Sequence, residues 1–210
     1  LIHHLQALGL NFQLIENTIP LADYHFQEKK VFRPRLLWMR SFHPIYHPEM
    51  ALEVAKLLQP RFPDLELYMA GTDVGYLNST QQLAKEMGLE KQVFFPGYID
   101  IDKKNQLAEA CDLYLCTNRI DNTPVSLIEM MALGVPIVST NVGGIPYLVR
   151  DGEEALLVDS GDAPAMAAAI EHILADPALG QHLANQGKIL AARYNEDKIA
   201  EKWLQLLQQI

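Results

Sequence analysis

Three short stretches decide the fold of this chain: residues 121–129 are DNTPVSLIE, residues 132–140 are ALGVPIVST, and residues 143–146 are GGIP. Pro124 suits the first turn of a helix, because its missing N–H would have no partner there. Gly134 is typical of a helix end, and the apolar run after it predicts a buried strand. A helix followed at once by a buried strand and a glycine turn is typical of a sheet covered by helices.

The same alternation of apolar runs and helical patterns extends along most of the chain. It predicts a Rossmann-like α/β fold, with a mainly parallel sheet and helices on both faces. The predicted strands are 12–15, 35–39, 65–70, 93–95, 113–116, 136–139 and 155–158. The predicted helices are 48–58, 79–87, 103–110, 124–133, 145–150, 163–175, 177–194 and 196–209. In such folds the ligand crevice lies at the carboxyl ends of the strands.

Two carboxylates, Asp121 and Glu129, lie eight residues apart across the start of the predicted helix 124–133. Both can face one ligand at the helix N-terminus, which offers free N–H groups and a positive dipole to a phosphate. The N–H groups concerned belong to Thr123, Val125 and Ser126. A sugar nucleotide matches this arrangement, since its hydroxyls suit carboxylates and its diphosphate suits the helix end.

Two further residues follow the ends of predicted strands. Arg40 closes the strand 35–39, where its guanidinium could bind a diphosphate in bidentate fashion or simply pair with a surface carboxylate. Gly71 follows the strand 65–70, where it either lets the backbone approach a ligand or makes a tight turn. The sequence alone leaves both pairs of alternatives open.

The stretch from 121 to 146 resembles the donor-site signature of the retaining glycosyltransferases of family 4, which have the two-domain GT-B architecture. That signature is an acidic residue, seven others and Glu, followed by Ala-x-Gly-x-Pro, two aliphatic residues and Gly-Gly. The matching residues are Glu129, Gly134, Pro136, Gly143 and Gly144. Asp121 stands where Glu is more usual. The resemblance covers residues 11–194 and implies the C-terminal, donor-binding half of such an enzyme.

The resemblance also implies roles for the acidic pair and for the arginine. Glu129 would accept hydrogen bonds from the ribose hydroxyls of the donor. Asp121 would contact the donor sugar, although aspartate is one methylene shorter than the usual glutamate. Arg40 and the helix end would stabilise the leaving nucleoside diphosphate, which is the main catalytic contribution expected of this half.

Other positions match the family less closely. Gly71 corresponds to a glycine in the family, and main-chain groups near Gly97 and Tyr98 would meet the base. His47 stands where the family has a lysine of a Lys-Gly pair. A histidine is only partly charged near neutral pH, so the second cation for the diphosphate is left open.

The resemblance further predicts three parts of the chain. Residues 1–30 would be the end of the acceptor domain and the interdomain linker, and residues 31–194 the donor domain. Residues 195–210 would form a helix that crosses back to an absent N-terminal domain. The missing initiator Met also predicts a fragment, inactive alone, that self-associates through uncovered apolar surface around residues 1–10 and 203–210.

Composition limits the other classes of function. The net charge is −9, and no stripe of Lys and Arg is present to neutralise nucleic-acid phosphates. No apolar run of about 18 residues predicts a membrane span. The two cysteines, Cys111 and Cys116, are expected to be buried reduced thiols, which predicts a cytoplasmic protein, peripheral to a membrane at most.

Metal and cofactor sites are not expected. His43 and His47 have a metal-like spacing, but Pro44 and Pro48 preclude a regular helix between them, and no third ligand is evident. The Gly-Gly pair at 143–144 lacks the G-x-G-x-x-G spacing, which argues against an NAD-linked dehydrogenase. The sequence therefore predicts a glycosyltransferase donor domain of glycan biosynthesis, which binds a nucleoside-diphosphate sugar and serves a glycan or lipid-linked acceptor. The alternatives are a sugar-nucleotide epimerase of the same architecture and a non-enzymatic nucleotide-sugar sensor or scaffold.

Overall fold

The strands of the protein, in a computed structural model that describes residues 15–208, form one sheet of six parallel strands. In chain order they are β1 (Arg35–Met39), β2 (Glu66–Ala70), β3 (Val93–Gly97), β4 (Leu113–Cys116), β5 (Ile137–Thr140) and β6 (Leu156–Val158). The helices are α1 (Pro48–Leu58), α2 (Leu77–Glu86), α3 (Ile101–Ala110), α4 (Val125–Leu133), α5 (Ile145–Leu148), α6 (Ala163–Ala175), α7 (Pro177–Ala191) and α8 (Glu196–Leu207). The 3₁₀ turns between residues 15 and 208 are Leu21–Asp23, Pro44–Tyr46 and Ala192–Tyr194.

The strand order is β3-β2-β1-β4-β5-β6, and every neighbouring pair is parallel. The chain builds outward from β1 in one direction as far as β3 and then returns to add β4 on the other side. The loops after β1 and β4 therefore diverge, and this switch point opens a crevice at the carboxyl edge of the sheet. The predicted parallel α/β fold is confirmed.

Alternating side chains of each central strand supply two separate cores. In β1, Leu36 and Trp38 join the core formed with α1 and α6, whereas Leu37 and Met39 join the core formed with α3 and α4. The two sets point to opposite faces because side chains alternate along a strand. Each face of the sheet is therefore covered by helices, which explains why the strands are apolar throughout.

Helix α4 is buried almost completely. Seven of its nine residues are buried, and the two that are not are Val125 and Glu129. Gly134 ends the helix with a φ of 79°, a left-handed conformation that glycine adopts at little cost. Pro124 precedes the first helical residue as its cap instead of starting the helix.

The glycine pair after β5 lets two loops touch at the carboxyl edge. A Cβ on Gly143 would lie 2.0 Å from the carbonyl oxygen of Asp121, and one on Gly144 would lie 1.4 Å from that of Asn122. The Gly144 N–H donates to the Asp121 carbonyl at 2.8 Å. The Gly-Gly pair therefore fixes the loop that carries Asp121.

Residues 15–34, here called the leading segment, pack on the domain. The Lys29 ammonium donates to the carbonyl of Ala108 at 2.9 Å, near the C-terminus of α3, and lies 3.3 Å from Asp112 Oδ1. Aromatic rings of the segment fill the space above two glycines: a Cβ on Gly134 or Gly180 would meet the ring of Phe26 or Phe32.

Several predicted boundaries need correction. Strand β3 extends to Gly97, and β5 begins after Pro136, which cannot donate to the ladder. The predicted helix 145–150 is a single turn, and the predicted helix 177–194 ends in a 3₁₀ turn. The predicted strand 12–15 lies outside the described residues except for Ile15, which is not in a strand.

Replacing Gly144 by Ala should destabilise the fold by about 3 kcal/mol or more, since the new Cβ would overlap a backbone oxygen. Gly88→Ala is the matched control, because Gly88 has open space around it and only its φ of 69° opposes a side chain. That strain costs about 1–2 kcal/mol. Urea denaturation measures both free energies of unfolding, and equal losses would contradict the contact described between the loops.

Candidate functional site

A cavity of about 310 Å³ lies at the carboxyl edge of the sheet, beyond the ends of β1, β2 and β3. Its size is at the lower end of the range for small-molecule sites. The residues on its wall are Met39, Arg40, Ser41, Tyr46, Gly71, Thr72, Tyr98, Ile99, Lys104, Val125, Ser126 and Glu129. The crevice predicted at the strand ends is therefore present, with the start of α4 on one side of it.

Arg40 follows β1 directly and turns its side chain toward α4. Its guanidinium pairs with Asp121 and lies over the ring of Tyr46, with Cζ 4.8 Å from the ring centroid. The Nε atom is buried and has no hydrogen-bond partner among residues 15–208. Burial acts to lower the pKa of Arg40, but neighbouring acidic groups outweigh it and leave the pKa above its ordinary value. Arg40 is therefore a fixed cation with unused donor capacity.

Asp121 lies behind the cavity wall. Its Oδ2 accepts hydrogen bonds from Arg40 and from Asn118 Nδ2, the latter at 2.8 Å. The side chain is 13% exposed and is not part of the cavity lining. In this arrangement the carboxylate orients the arginine, and its contact with a donor sugar stays a prediction.

Glu129 is on the wall, at one of the two positions of α4 that are not buried. Its Oε1 accepts a hydrogen bond from the Tyr24 hydroxyl at 2.8 Å and another from the Lys104 ammonium at 2.6 Å. The side chains of Lys104 and Glu129 are 15% and 13% exposed. This is a charged pair at the edge of the core, not a solvated helix glutamate.

Sequence reasoning missed both Lys104 and Tyr24. Lys104 shares one face of α3 with Ile101 and Ala108, which are its neighbours at helical spacing and are at least partly buried. A lysine on a core-facing stripe is a usable signal, since lysine is almost never buried unless it is paired. Nothing in the sequence near Tyr24 indicates that it reaches α4.

The N-terminus of α4 faces the same cavity through Val125 and Ser126. The helix begins without a side-chain cap, and the N–H groups of these two residues find no acceptor within the described part of the chain. A helix end with unsatisfied N–H groups is suited to an anion. Thr123 lies in the preceding loop and is not part of the lining.

The remaining predicted site residues divide into two groups. Gly71 and Tyr98 are on the wall, whereas His47 and Gly97 are not. Tyr98 is 76% exposed at the mouth of the cavity. A Cβ on Gly71 would come within 1.9 Å of the Arg40 carbonyl oxygen, so close packing of the ends of β1 and β2 requires this glycine.

His47 occupies the position before α1 in a left-handed conformation, with a φ of 50°. Burial and then the charge of Arg119 lower the pKa of His47. The imidazole is thus neutral near pH 7 and lies off the cavity wall. The second cation of this wall is Lys104, not His47.

Other features bear on the remaining predictions. Within residues 15–208, no three His, Cys, Asp or Glu side chains are grouped closely enough to hold a metal ion. None of the helices between Ile15 and Gln208 combines the length and apolar character needed to cross a bilayer. Cys111 and Cys116 are free thiols and are buried, as predicted.

Comparison with known proteins gives one family. The family model described as glycosyl transferases group 1 matches residues 23–190. A lipopolysaccharide core biosynthesis glycosyltransferase, LpsE of Rhizobium meliloti (strain 1021), is 35% identical over 148 residues, which are 70% of this chain and 43% of that protein. The putative glycosyltransferase EpsD of Bacillus subtilis (strain 168) is 28% identical over 203 residues, or 94% of this chain and 52% of the relative. The chain therefore spans about half the length of these curated relatives.

The fold also matches solved structures. Anabaena HepE, in a crystal structure with UDP and glucose, superimposes with a TM-score of 0.83 at 19% identity. The match covers 94% of this chain and 57% of HepE. At this identity the likeness concerns the fold, which is the α/β architecture of GT-B glycosyltransferases.

The buried thiols give a further test of this region of the structure. Burial raises the pKa of Cys111 to about 12 and also raises the pKa of Cys116, so little thiolate exists at pH 8. Ellman's reagent should therefore label neither thiol in the folded protein and both thiols in guanidinium chloride. Rapid labelling of either cysteine in the native state would contradict the burial described for Cys116 in β4 and for Cys111 just before that strand.

Proposed function

Since this chain belongs to the group 1 glycosyl transferases, we propose that it is the nucleotide-sugar-binding half of such an enzyme. One observation carries the proposal: a single cavity wall combines Arg40, the uncapped start of α4 and the carboxylate of Glu129. The first two suit a diphosphate and the third suits vicinal hydroxyls. The motif from 121 to 146 supports assignment to the retaining enzymes of family 4.

In the proposed complex, the diphosphate lies between Arg40 and the N–H groups of Val125 and Ser126. Arg40 can exchange its bond to Asp121 for one to a phosphate oxygen. The ribose hydroxyls donate to Glu129. The base extends toward the exposed ring of Tyr98. The UDP in the HepE structure supports a nucleotide ligand for this fold.

The proposed chemistry is stabilisation of the leaving group. When the bond between the anomeric carbon of the sugar and the diphosphate oxygen breaks, negative charge develops on the departing diphosphate. Arg40 and the N-terminus of α4 are already oriented toward that charge and need little reorganisation. The acceptor, a glycan or a lipid-linked glycan, would be held by another part of a longer protein. That the reaction needs no metal and takes place in the cytoplasm stays a prediction.

The structure bears differently on the two alternative functions, the sugar-nucleotide epimerase and the non-enzymatic nucleotide-sugar sensor or scaffold. Nothing described in the cavity favours an epimerase. The pairing of Asp121 with Arg40, together with the neutral His47, is the arrangement that a non-enzymatic nucleotide sensor could also have. Turnover by the longer protein separates this alternative from the transferase.

The first test is a binding panel on this chain with UDP, GDP and ADP, measured by calorimetry and by thermal unfolding. We expect one of the three to bind, because the wall offers an arginine and a helix end to the diphosphate. At 100 times its Kd, the ligand should raise the free energy of unfolding by about 2.7 kcal/mol. If none of the three nucleotides binds, the proposed function is wrong.

The second test assigns the site residues. Glu129→Gln should weaken nucleoside diphosphate binding by about 1.5–3 kcal/mol, the range for a hydrogen bond to a charged group. Arg40→Ala should weaken both the diphosphate and the sugar nucleotide, more strongly at low salt, where screening is least. Asp121→Asn should weaken the sugar nucleotide more than the bare diphosphate, because only the sugar is expected to contact this carboxylate, whereas a change in the Arg40 partner of Asp121 affects both ligands.

Calorimetry with both ligands measures these three variants. Glu90→Gln is the matched control, since Glu90 is an exposed carboxylate remote from the cavity wall. Variants that all bind like the control would show that the acidic pair is structural and that the donor site lies elsewhere.

A further inference from the structure

We infer that Lys104 and Tyr24 are positioning residues that hold one oxygen of Glu129 and leave the other to the donor ribose; this inference rests on the proposed function. Both donors meet the same atom. The Lys104 ammonium is 2.6 Å and the Tyr24 hydroxyl 2.8 Å from Glu129 Oε1. Glu129 Oε2 accepts no hydrogen bond from any residue between 15 and 208, and it is not a fully buried atom.

Two donors on one oxygen fix the carboxylate in orientation as well as in place. A carboxylate has about four acceptor positions, so the oxygen that is left can take a ligand hydroxyl without losing its protein partners. A site held in this way before the ligand arrives loses less conformational freedom on binding. The ammonium also compensates the charge of the carboxylate at the edge of an apolar helix, where an unpaired charge would be costly.

The three partners come from three distant parts of the chain. Tyr24 belongs to the leading segment, Lys104 to α3 and Glu129 to α4. The Lys104 ammonium also lies 5.8 Å from the centroid of the Tyr24 ring, which adds a cation–π contact. Burial and then the charge of Glu129 raise the pKa of Tyr24, so its hydroxyl stays protonated and donates. The leading segment therefore contributes directly to the donor site.

A different role for Lys104 is conceivable on charge alone, because an ammonium on this wall could contact a phosphate. The two roles differ in which part of the nucleotide senses the residue. If Lys104 acts through Glu129, its removal is felt by the ribose hydroxyls. If it contacts phosphate, its removal is felt in proportion to the phosphate charge, whatever the sugar.

The experiment compares a nucleoside diphosphate with its 2′,3′-dideoxy counterpart, using UDP and dideoxy-UDP, or the corresponding GDP or ADP pair if the panel selects that base. The wild-type chain should prefer the ribose form by about 10-fold or more, as expected for hydrogen bonds to a charged group. Lys104→Met and Tyr24→Phe should each reduce this preference to about 3-fold or less. Their affinity for the dideoxy form should change by less than about 2-fold.

Matched controls are available for both variants. Lys103→Met alters the exposed neighbour of Lys104, and Tyr147→Phe alters a tyrosine that is 92% exposed. Both should keep the full preference for the ribose form. Tyr24→Phe preserves the ring and its packing, so it decides the matter alone if Lys104→Met does not fold.

Three results would overturn the inference. The first is an equal loss for the ribose and dideoxy forms, which would indicate a merely structural role. The second is an intact ribose preference together with a loss that is larger for the diphosphate than for the corresponding nucleoside monophosphate, measured in parallel, which would indicate a phosphate contact. The third is a wild-type preference below about 3-fold while the diphosphate binds, since Glu129 would then not contact the ribose. A wild-type chain that binds no nucleotide instead contradicts the proposed function itself.

Discussion

The burial of α4 is the constraint on which the rest of the site depends. A helix with seven buried residues out of nine cannot rotate or slide without breaking its core contacts. It is held between the sheet and α7, where a Cβ on Gly187 would lie 2.8 Å from Met131 Cγ, so the two helices are already in close contact. This packing aims the N-terminus at the cavity and leaves Glu129 at a position that must face it. The apolar residues of the helix thereby fix the place of its one carboxylate.

The charges around the cavity are balanced within the protein. Arg40 is paired with Asp121 and Lys104 with Glu129, and all four side chains are no more than 15% exposed. In the proposed complex, a diphosphate would replace Asp121 as a partner of Arg40 and would not simply neutralise a free cation. Such exchange moderates affinity, because the arginine gives up part of one charge-assisted bond as it forms another. The proposed enzyme would release its nucleotide after each turnover, and this moderation would favour that release.

The sequence predicted the fold well because its main signals are local. Gly134, the buried strand after it and Arg40 at the end of β1 each follow from periodicity and from a few neighbouring residues. The contacts of Glu129 could not be predicted in this way, since Lys104 and Tyr24 are 25 and 105 residues away from it. The position of Asp121 could not be predicted either, because it depends on how closely the glycine pair at 143–144 lets two loops approach each other. Local chemistry identified candidate residues, and the fold decides which of them meet.

The docking of the leading segment bears on how enzymes of this architecture can be recombined. Lys29 closes the end of α3, Phe26 and Phe32 cover glycines of two helices or their ends, and Tyr24 reaches a carboxylate inside the cavity. The family match begins at residue 23, within this segment. A chimera joined at residue 31 would replace the first part of the leading segment by that of another protein, and would separate Tyr24, Phe26 and Lys29 from the surfaces on which they pack. We therefore expect that the leading segment must be kept together with the sheet and helices that follow it when parts of related proteins are exchanged.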